Sequence, residues 1–280
     1  MKKIFVLVCF IFTVACSSIR SSDEVWIHNA QNEAIYIQID GLSNATHHKL
    51  AIIQHGLASD MNHQAVQAAK QAFLDNNYVV ITFDSRYSLG YSGNHVENAR
   101  LATFNEDLKT VISWAKKQPF YSEPFALSGH SLGGGSVLQY SAEYPKDVNI
   151  LVPITPVISG SLWEKSCMTN MTAFCRQWKH EGTYTYTDVK KHKTAVIPFD
   201  IITDSKSYNA FALLPQIAAK TLFIAAQNDI IISSDDLSQL AKSANPQKNI
   251  TVVSESGHNF ETSENQADLY KVINHFLNIK

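Results

Sequence analysis

Apolar residues recur along this chain in two rhythms. Short, nearly continuous runs bounded by turn residues lie at 50–53, 78–83, 125–127, 150–154, 221–225 and 250–253. Runs of that length predict strands buried on both faces, as in a parallel sheet. Between them, residues 63–76 place Val66, Ala69, Phe73 and Leu74 on one side of a helix, and residues 99–117 place Leu101, Phe104, Leu108, Val111, Ile112 and Ala115 at helical spacing. Residues 235–243 and 265–279 continue the alternation. Ahead of these, residues 25–28 and 35–40 alternate apolar and polar positions around the polar turn 29–33, which predicts a hairpin. Strands alternating with helices predict an α/β fold with helices on both faces of the sheet.

One stretch breaks the rhythm. Residues 159–214 carry Trp163, Met168, Met171, Phe174, Trp178, Tyr184, Tyr186 and Phe199 among Lys179, Lys190, Lys191 and Lys193, without a clear βα unit. About fifty residues are too many for a plain loop, so this is read as a cap or lid inserted into a core made of residues 25–158 and 215–280.

Composition narrows the function classes. The 280 residues are 45% hydrophobic and 17% charged, which excludes intrinsic disorder. Lys and Arg number 23 against 25 Asp and Glu, so the chain lacks the basic excess of a nucleic-acid binder.

The first residues read as an address. Met1, Lys2 and Lys3 precede the 12-residue apolar run 4–15, the pattern of a secretory signal and too short for an ordinary membrane span. The run ends Thr13-Val14-Ala15-Cys16-Ser17-Ser18, which resembles a bacterial lipobox with Thr13 where Leu is usual. That resemblance implies lipidation of Cys16, a tether over residues 16–24, and a membrane-anchored lipoprotein exported to the bacterial cell envelope; ordinary cleavage leaving a free Cys16 is the alternative. Acyl chains hold a protein to a bilayer at about 0.8 kcal/mol per buried CH₂. With Cys9 in the signal, Cys167 and Cys175 remain for the mature domain. In an oxidising compartment they can pair, closing a short loop in the insert; two buried thiols are the alternative. Neither their spacing nor the 11 scattered histidines form a metal-ligand pattern.

Chemistry concentrates at Ser128-Gly129-His130-Ser131-Leu132-Gly133, a G-x-S-x-G motif between the strand at 125–127 and a helix-compatible run at 136–143. In that context the motif is a nucleophile elbow, with Ser131 raised above the sheet. A phosphate-binding turn is the bland alternative, but the Lys and Ser/Thr of a P-loop are missing. A serine hydroxyl needs a base oriented by a third group. Asp229 stands just past the run 221–226 and His258 just past 250–253, giving the order Ser131, Asp229, His258. Asp235 and Asp236 compete for the acid role but sit where the next helix begins. His130 is read as a support for the elbow rather than the base. The oxyanion donors are expected to be the backbone N–H groups of Leu132 and of Leu57, the latter after Gln54-His55-Gly56, with His55 turning that loop.

These residues together resemble the α/β-hydrolase superfamily, in particular capped serine hydrolases that include monoacylglycerol lipase-like, lysophospholipase-like and serine aminopeptidase-like enzymes. The resemblance runs from about residue 50 to the C-terminus. Asp84-Ser85-Arg86-Tyr87-Ser88-Leu89-Gly90-Tyr91-Ser92 is similar to the D-x-R-G-x-G-x-S loop of that group, with Tyr87 replacing its first Gly, and implies bracing roles for Asp84 and Arg86. The resemblance implies an α/β-hydrolase fold and a cofactor-independent serine hydrolase acting on small-molecule or lipid esters, with a peptidase or amidase as the rival. A non-catalytic envelope lipoprotein that binds through the same scaffold is the rival of another class. Trp163, Phe174 and Trp178 are candidates for an acyl pocket, although an insert also needs such residues for its own packing.

Overall fold

The computed structural model describes residues 22–42, 49–93, 95–189, 192–244 and 249–279. In chain order, a hairpin of β1 (Ser22–His28) and β2 (Ala34–Asp40) is followed by β3 (Lys49–Gln54), α1 (Gln64–Asp75), β4 (Tyr78–Asp84), α2 (Leu101–Ala115), β5 (Phe125–His130), α3 (Leu132–Glu143) and β6 (Val148–Ile154). The insert contributes α4 (Gly160–Asn170), α5 (Thr172–Glu181), a second hairpin of β7 (Thr183–Asp188) and β8 (Lys193–Pro198), and the short helices α6 (Asp200–Asp204) and α7 (Ala210–Leu213). The core then resumes with β9 (Lys220–Ala226), α8 (Ser234–Ser243), β10 (Asn249–Val253) and α9 (Ser263–Asn278).

Eight strands form one sheet in the order β1-β2-β4-β3-β5-β6-β9-β10. The pairs from β4 through β10 are parallel, so these strands all end at the same edge of the molecule; β2 runs antiparallel to β4 and to β1. The unbroken apolar runs are explained by burial on both faces. Leu50 and Ile52 of β3, with Val79, Ile81 and Phe83 of β4, enter the layer packed by Leu108 of α2, Leu138 of α3 and Leu240 of α8. Ala51, Ile53 and Val80 enter the opposite layer, with Val66 and Phe73 of α1 and Leu269, Ile273 and Phe276 of α9. Burying one such side chain contributes about 1.5–3 kcal/mol.

Three sequence expectations are corrected. The tether expected over residues 16–24 stops sooner, because Ser22, Asp23 and Glu24 pair with Asp40, Ile39 and Gln38. An edge strand tolerates polar, exposed side chains, which hid its beginning; Cys16 and residues 1–15, the expected signal, lie outside the described residues. The run at 250–253 is an edge strand rather than one buried on both faces, and Val252 stands 44% exposed. The helix after the motif starts at Leu132 rather than at residue 136, and Gly133, Gly134 and Gly135 are all helical. Intrinsic propensity disfavours glycine in a helix by about 1 kcal/mol per residue, but close packing overrides it here.

The insert is tied to segments that leave the C-terminal strand ends. Ser166 Oγ and Asn170 Nδ2 donate to the Ile230 carbonyl beyond β9, at 3.2 and 3.1 Å. Lys193 Nζ donates to the Leu89 and Gly90 carbonyls beyond β4, at 2.6 and 3.2 Å. The Tyr208 hydroxyl donates to the Gly135 carbonyl of α3 at 3.2 Å. Within the insert, a disulfide joins Cys167 of α4 to Cys175 of α5, both fully buried.

Because that bridge closes a loop with a sequence separation of 8, replacing both cysteines by serine is expected to lower stability by about 2–3 kcal/mol. Denaturant unfolding measures it. Peptide mapping without reductant checks the bond, and two free thiols in protein from an oxidising compartment would refute it.

Candidate active site

Ser131 occupies the single residue between β5 and α3, with φ 54° and ψ −114°. This is a backbone conformation costing a non-glycine residue about 1–3 kcal/mol, and it persists only where surroundings over-determine it. Here the Ser131 N–H donates to Ile154 O at 2.9 Å, while the Ser131 carbonyl accepts from Gly135 N at 3.1 Å and Val157 N at 3.0 Å. The helix is drawn against the sheet end at Gly133, where a Cβ would lie 2.3 Å from the His55 carbonyl oxygen.

The ends of β9 and β10 supply the partners. Asp229 lies in the turn after β9, and its Oδ1 accepts from the N–H groups of Ile231 and Ile232, each at 2.8 Å. Its Oδ2 lies 2.7 Å from His258 Nδ1, and His258 Nε2 lies 2.9 Å from Ser131 Oγ. With Nδ1–H donating to the carboxylate, Nε2 is left to accept the serine proton. All three residues are buried. Asp235 and Asp236 stand in the first turn of α8, where acids complement the helix dipole, and Asp236 faces Lys165 at 3.5 Å. The histidine loop is laced to its neighbours: Asn228 N donates to Ser256 O at 2.8 Å, and Gln64 Nε2 donates to Asn259 O at 2.7 Å.

The loop that carries Leu57 and the start of α3 both adjoin Ser131. Leu132 is the first residue of α3, so its N–H has no partner within the helix. Gly56 abuts Ser131, since a Cβ there would sit 3.0 Å from both Ser131 Cβ and His130 Nδ1. His55 Nδ1–H donates to the Gly56 carbonyl at 2.7 Å, while its Nε2 accepts from Ser85 N at 2.9 Å. Because the Gly56–Leu57 peptide is planar and trans, holding its carbonyl toward His55 directs the Leu57 N–H the opposite way. His55 therefore turns the loop and orients a backbone donor at once.

The loop after β4 braces this arrangement. Asp84 Oδ1 accepts from Met61 N at 2.8 Å and Oδ2 from Tyr91 N at 2.6 Å, so one buried carboxyl joins the loops after β3 and β4. Burial raises its pKa, with His55 and the two N–H donors opposing. Arg86 is enclosed by acids: Nε lies 2.9 Å from Asp107 Oδ1, and the guanidinium also reaches Glu33 and Glu106. Glu33 is held down to about 2 by hydrogen bonds from Asn29, Arg86 and Tyr87. The Tyr87 hydroxyl donates to Glu33 Oε1 at 2.8 Å, which gives the residue replacing the motif's first glycine a role. Glu33 was invisible in the sequence because it lies in the polar hairpin turn, far from every motif.

The aromatic candidates have packing partners of their own. Trp178 Nε1 donates to Ile197 O at 2.9 Å, and its ring meets Tyr184 and Phe199 edge-on at 4.8 and 5.2 Å. Phe174, 40% exposed, covers Trp178 and Tyr184 from outside. Trp163 is buried in the main core. These contacts give Trp178 and Phe174 the packing role within the insert that the sequence offered beside the acyl pocket. Among the described residues, no group of three or more His, Cys, Asp or Glu is placed to hold a metal ion, and no helix is long and apolar enough to cross a membrane.

A mostly parallel eight-stranded sheet, with an elbow serine after β5, an acid after β9 and a histidine after β10, defines an α/β hydrolase. Residues 45–207 match the family described as serine aminopeptidase, S33. The chain belongs to that family of hydrolases. Among solved structures, Est1E from Butyrivibrio proteoclasticus with ferulic acid bound superposes with a TM-score of 0.71 at 15% identity, covering 90% of this chain and 97% of that one. Alpha/beta hydrolase domain-containing protein 10 from mouse gives 0.68 at 17% identity, covering 91% and 98%. The esterase Pf2001 from Pyrococcus furiosus gives 0.68 at 18%, covering 92% and 90%. At such identities the likeness is one of fold. No curated protein matches the sequence.

The close approach at Gly133 leads to a measurable expectation. Gly133→Ala has to push α3 off the end of β3, and overpacking of this kind costs about 1–3 kcal/mol. Thermal melting should show the loss, and an unchanged melting temperature would count against the tight helix–sheet contact.

Proposed function

We propose that this hydrolase cleaves carboxylic esters through an acyl-enzyme on Ser131. The observation that carries the reading is the hydrogen-bonded chain from Asp229 Oδ2 through His258 to Ser131 Oγ, at 2.7 and 2.9 Å. His258 takes the serine proton as Oγ attacks the acyl carbon, and Asp229 stabilises the imidazolium that forms. The tetrahedral oxyanion receives the N–H groups of Leu57 and Leu132, each such donor being worth about 2.7–4 kcal/mol in comparable sites. His258 then protonates the leaving alcohol, and water repeats the sequence to release the acid. The bonds from the insert to the segments beyond β4 and β9 support its role as a cap over this site.

Ester substrates are favoured because, of the proteins that share the fold, Pf2001 is named as an esterase and Est1E is described with ferulic acid bound. The family description, serine aminopeptidase, favours an amide-cleaving second reading. Either activity separates the protein from a non-catalytic binding module, which a fluorophosphonate probe would leave unlabelled. The N-terminal residues support a further part of the proposal: export to the bacterial cell envelope and anchoring through lipidated Cys16.

Ser131→Ala is expected to lower kcat by about 10⁴–10⁶ without disturbing the fold. Retention of more than about a tenth of the activity would remove Ser131 as nucleophile. His258→Ala should lose comparably and Asp229→Ala somewhat less. p-Nitrophenyl esters of rising chain length, assayed beside aminoacyl amides, decide between ester and amide.

For the anchor, Cys16→Ala should move the protein from the membrane to the soluble fraction, and mass spectrometry should find a modified Cys16 at the mature N-terminus. A free N-terminus at Ser17 or beyond would refute lipidation and leave export standing.

A further inference from the structure

His130 is a buried histidine, one residue before the nucleophile, that the proposed chemistry does not use. Its Nε2 lies 2.9 Å from the backbone carbonyl oxygen of His258. A carbonyl only accepts, so Nε2 carries the proton and donates. The other ring nitrogen, Nδ1, is buried and meets no hydrogen-bond partner among the described residues. One face of the ring is stacked on His63 at 4.6 Å and 17°, and the ring centre is 5.0 Å from that of His258.

We propose that His130 is a positioning residue for His258, its Nε2–H bond to the His258 carbonyl tying the histidine loop to the nucleophile elbow and so fixing the reach from Nε2 of His258 to Ser131 Oγ. This inference deepens the triad reading and rests on it.

Three observations converge. First, the bond closes a short circuit. Ser131 is joined to His130 by one peptide link, His130 to His258 by one hydrogen bond, and His258 back to Ser131 by another. Other backbone ties on that loop come from elsewhere: Asn228 N donates to Ser256 O, Glu255 N to Gln227 Oε1, Gln64 Nε2 of α1 to Asn259 O, and Gln266 Nε2 of α9 to Phe260 O. His130 alone among these joins the loop to the strand that carries the nucleophile. Second, the loop depends on such ties, since Glu255 and Phe260 on either side of His258 both have positive φ, 51° and 55°. Non-glycine residues hold such conformations only when tertiary contacts impose them. Third, a buried nitrogen without a partner costs free energy. An apolar ring of similar shape would avoid that cost, so the ring's distinguishing contribution is the bond at its other nitrogen.

The surroundings also keep the ring uncharged. Burial, with His63, His258 and His55 nearby, holds its pKa well below the ordinary histidine value. A neutral neighbour suits a histidine that must become an imidazolium during the reaction, because a second cation at that distance would oppose the charge.

The test uses the full chain, with steady-state kinetics on p-nitrophenyl acetate and the rate of fluorophosphonate labelling. His130→Phe keeps an aromatic ring and removes the donor. It is expected to lower kcat and the labelling rate by about ten- to a hundredfold, the scale of a misplaced catalytic group, with KM little changed. His130→Gln restores a neutral donor near the position of Nε2 and is expected to return kcat to within about fivefold of wild type, well inside that loss. Folded His130→Phe with unimpaired kcat would overturn the proposal, as would equal losses in the Phe and Gln variants. If the Phe variant does not fold, the Gln variant decides alone, and a hundredfold loss in that folded protein counts against it. Ser131→Ala runs alongside: its activity would bring down the nucleophile reading itself, whereas a dead Ser131→Ala with a fully active His130→Phe would remove only the positioning role.

Discussion

Ser131 keeps a backbone conformation, φ 54°, that an L-residue adopts only under compulsion, and most of what surrounds it can be understood as the source of that compulsion. Its N–H is held by β6, and its carbonyl by α3 and by the segment after β6. Those bonds exist only if β5 and β6 lie in register and α3 begins without delay, so the strain at one residue depends on the pairing of two buried strands and the docking of a helix. The same contact zone brings in the loop after β3, because Gly133 and Gly56 let the helix and that loop approach closely enough to meet.

Around the elbow the loops are held by polar atoms whose own positions are buried. Asp84 links the segments after β3 and β4, His55 links the same two segments by a different route, and Asp229 organises the turn after β9 while holding His258. Each of these groups satisfies backbone N–H donors that would otherwise be unpaired away from water. Much of the polar interior lies where strands end and backbone groups lose their sheet partners, and the middle of the sheet is largely apolar, with Thr82 and Ser128 as exceptions.

The legibility of this structure in its sequence follows the same division. Strands with both faces buried declared themselves as apolar runs at β3, β4 and β9, and the glycines of the elbow marked Ser131 because their spacing is a steric requirement. Asp229 and His258 were readable because each follows such a run. What stayed hidden depended on contacts between distant segments. Ser22 to Glu24 look like tether until β2 is placed beside them, Gly133 to Gly135 look unsuited to a helix until the end of β3, the segment after β6 and Leu101 of α2 are placed against them, and Glu33 is unremarkable until Arg86 reaches it. The insert resisted reading because its aromatic residues pack on one another in an irregular order, with Trp178 facing Tyr184 and Phe199, rather than along a repeating face.

The register of the first hairpin has a consequence for orientation. Ser22 pairs with Asp40, and Asp40 with Val80 near the beginning of β4, whereas Tyr36 at the other end of β2 pairs with Asp84 at its end. The chain thus joins the sheet at the pole where the parallel strands start, and Ser131, Asp229 and His258 stand at the pole where they finish. Ser22 itself therefore stands at the base of the domain. A pull on Ser22 would be borne by the ladder between β1 and β2, at the margin of the sheet, and would not pass through the loops that hold Ser131, Asp229 and His258 together.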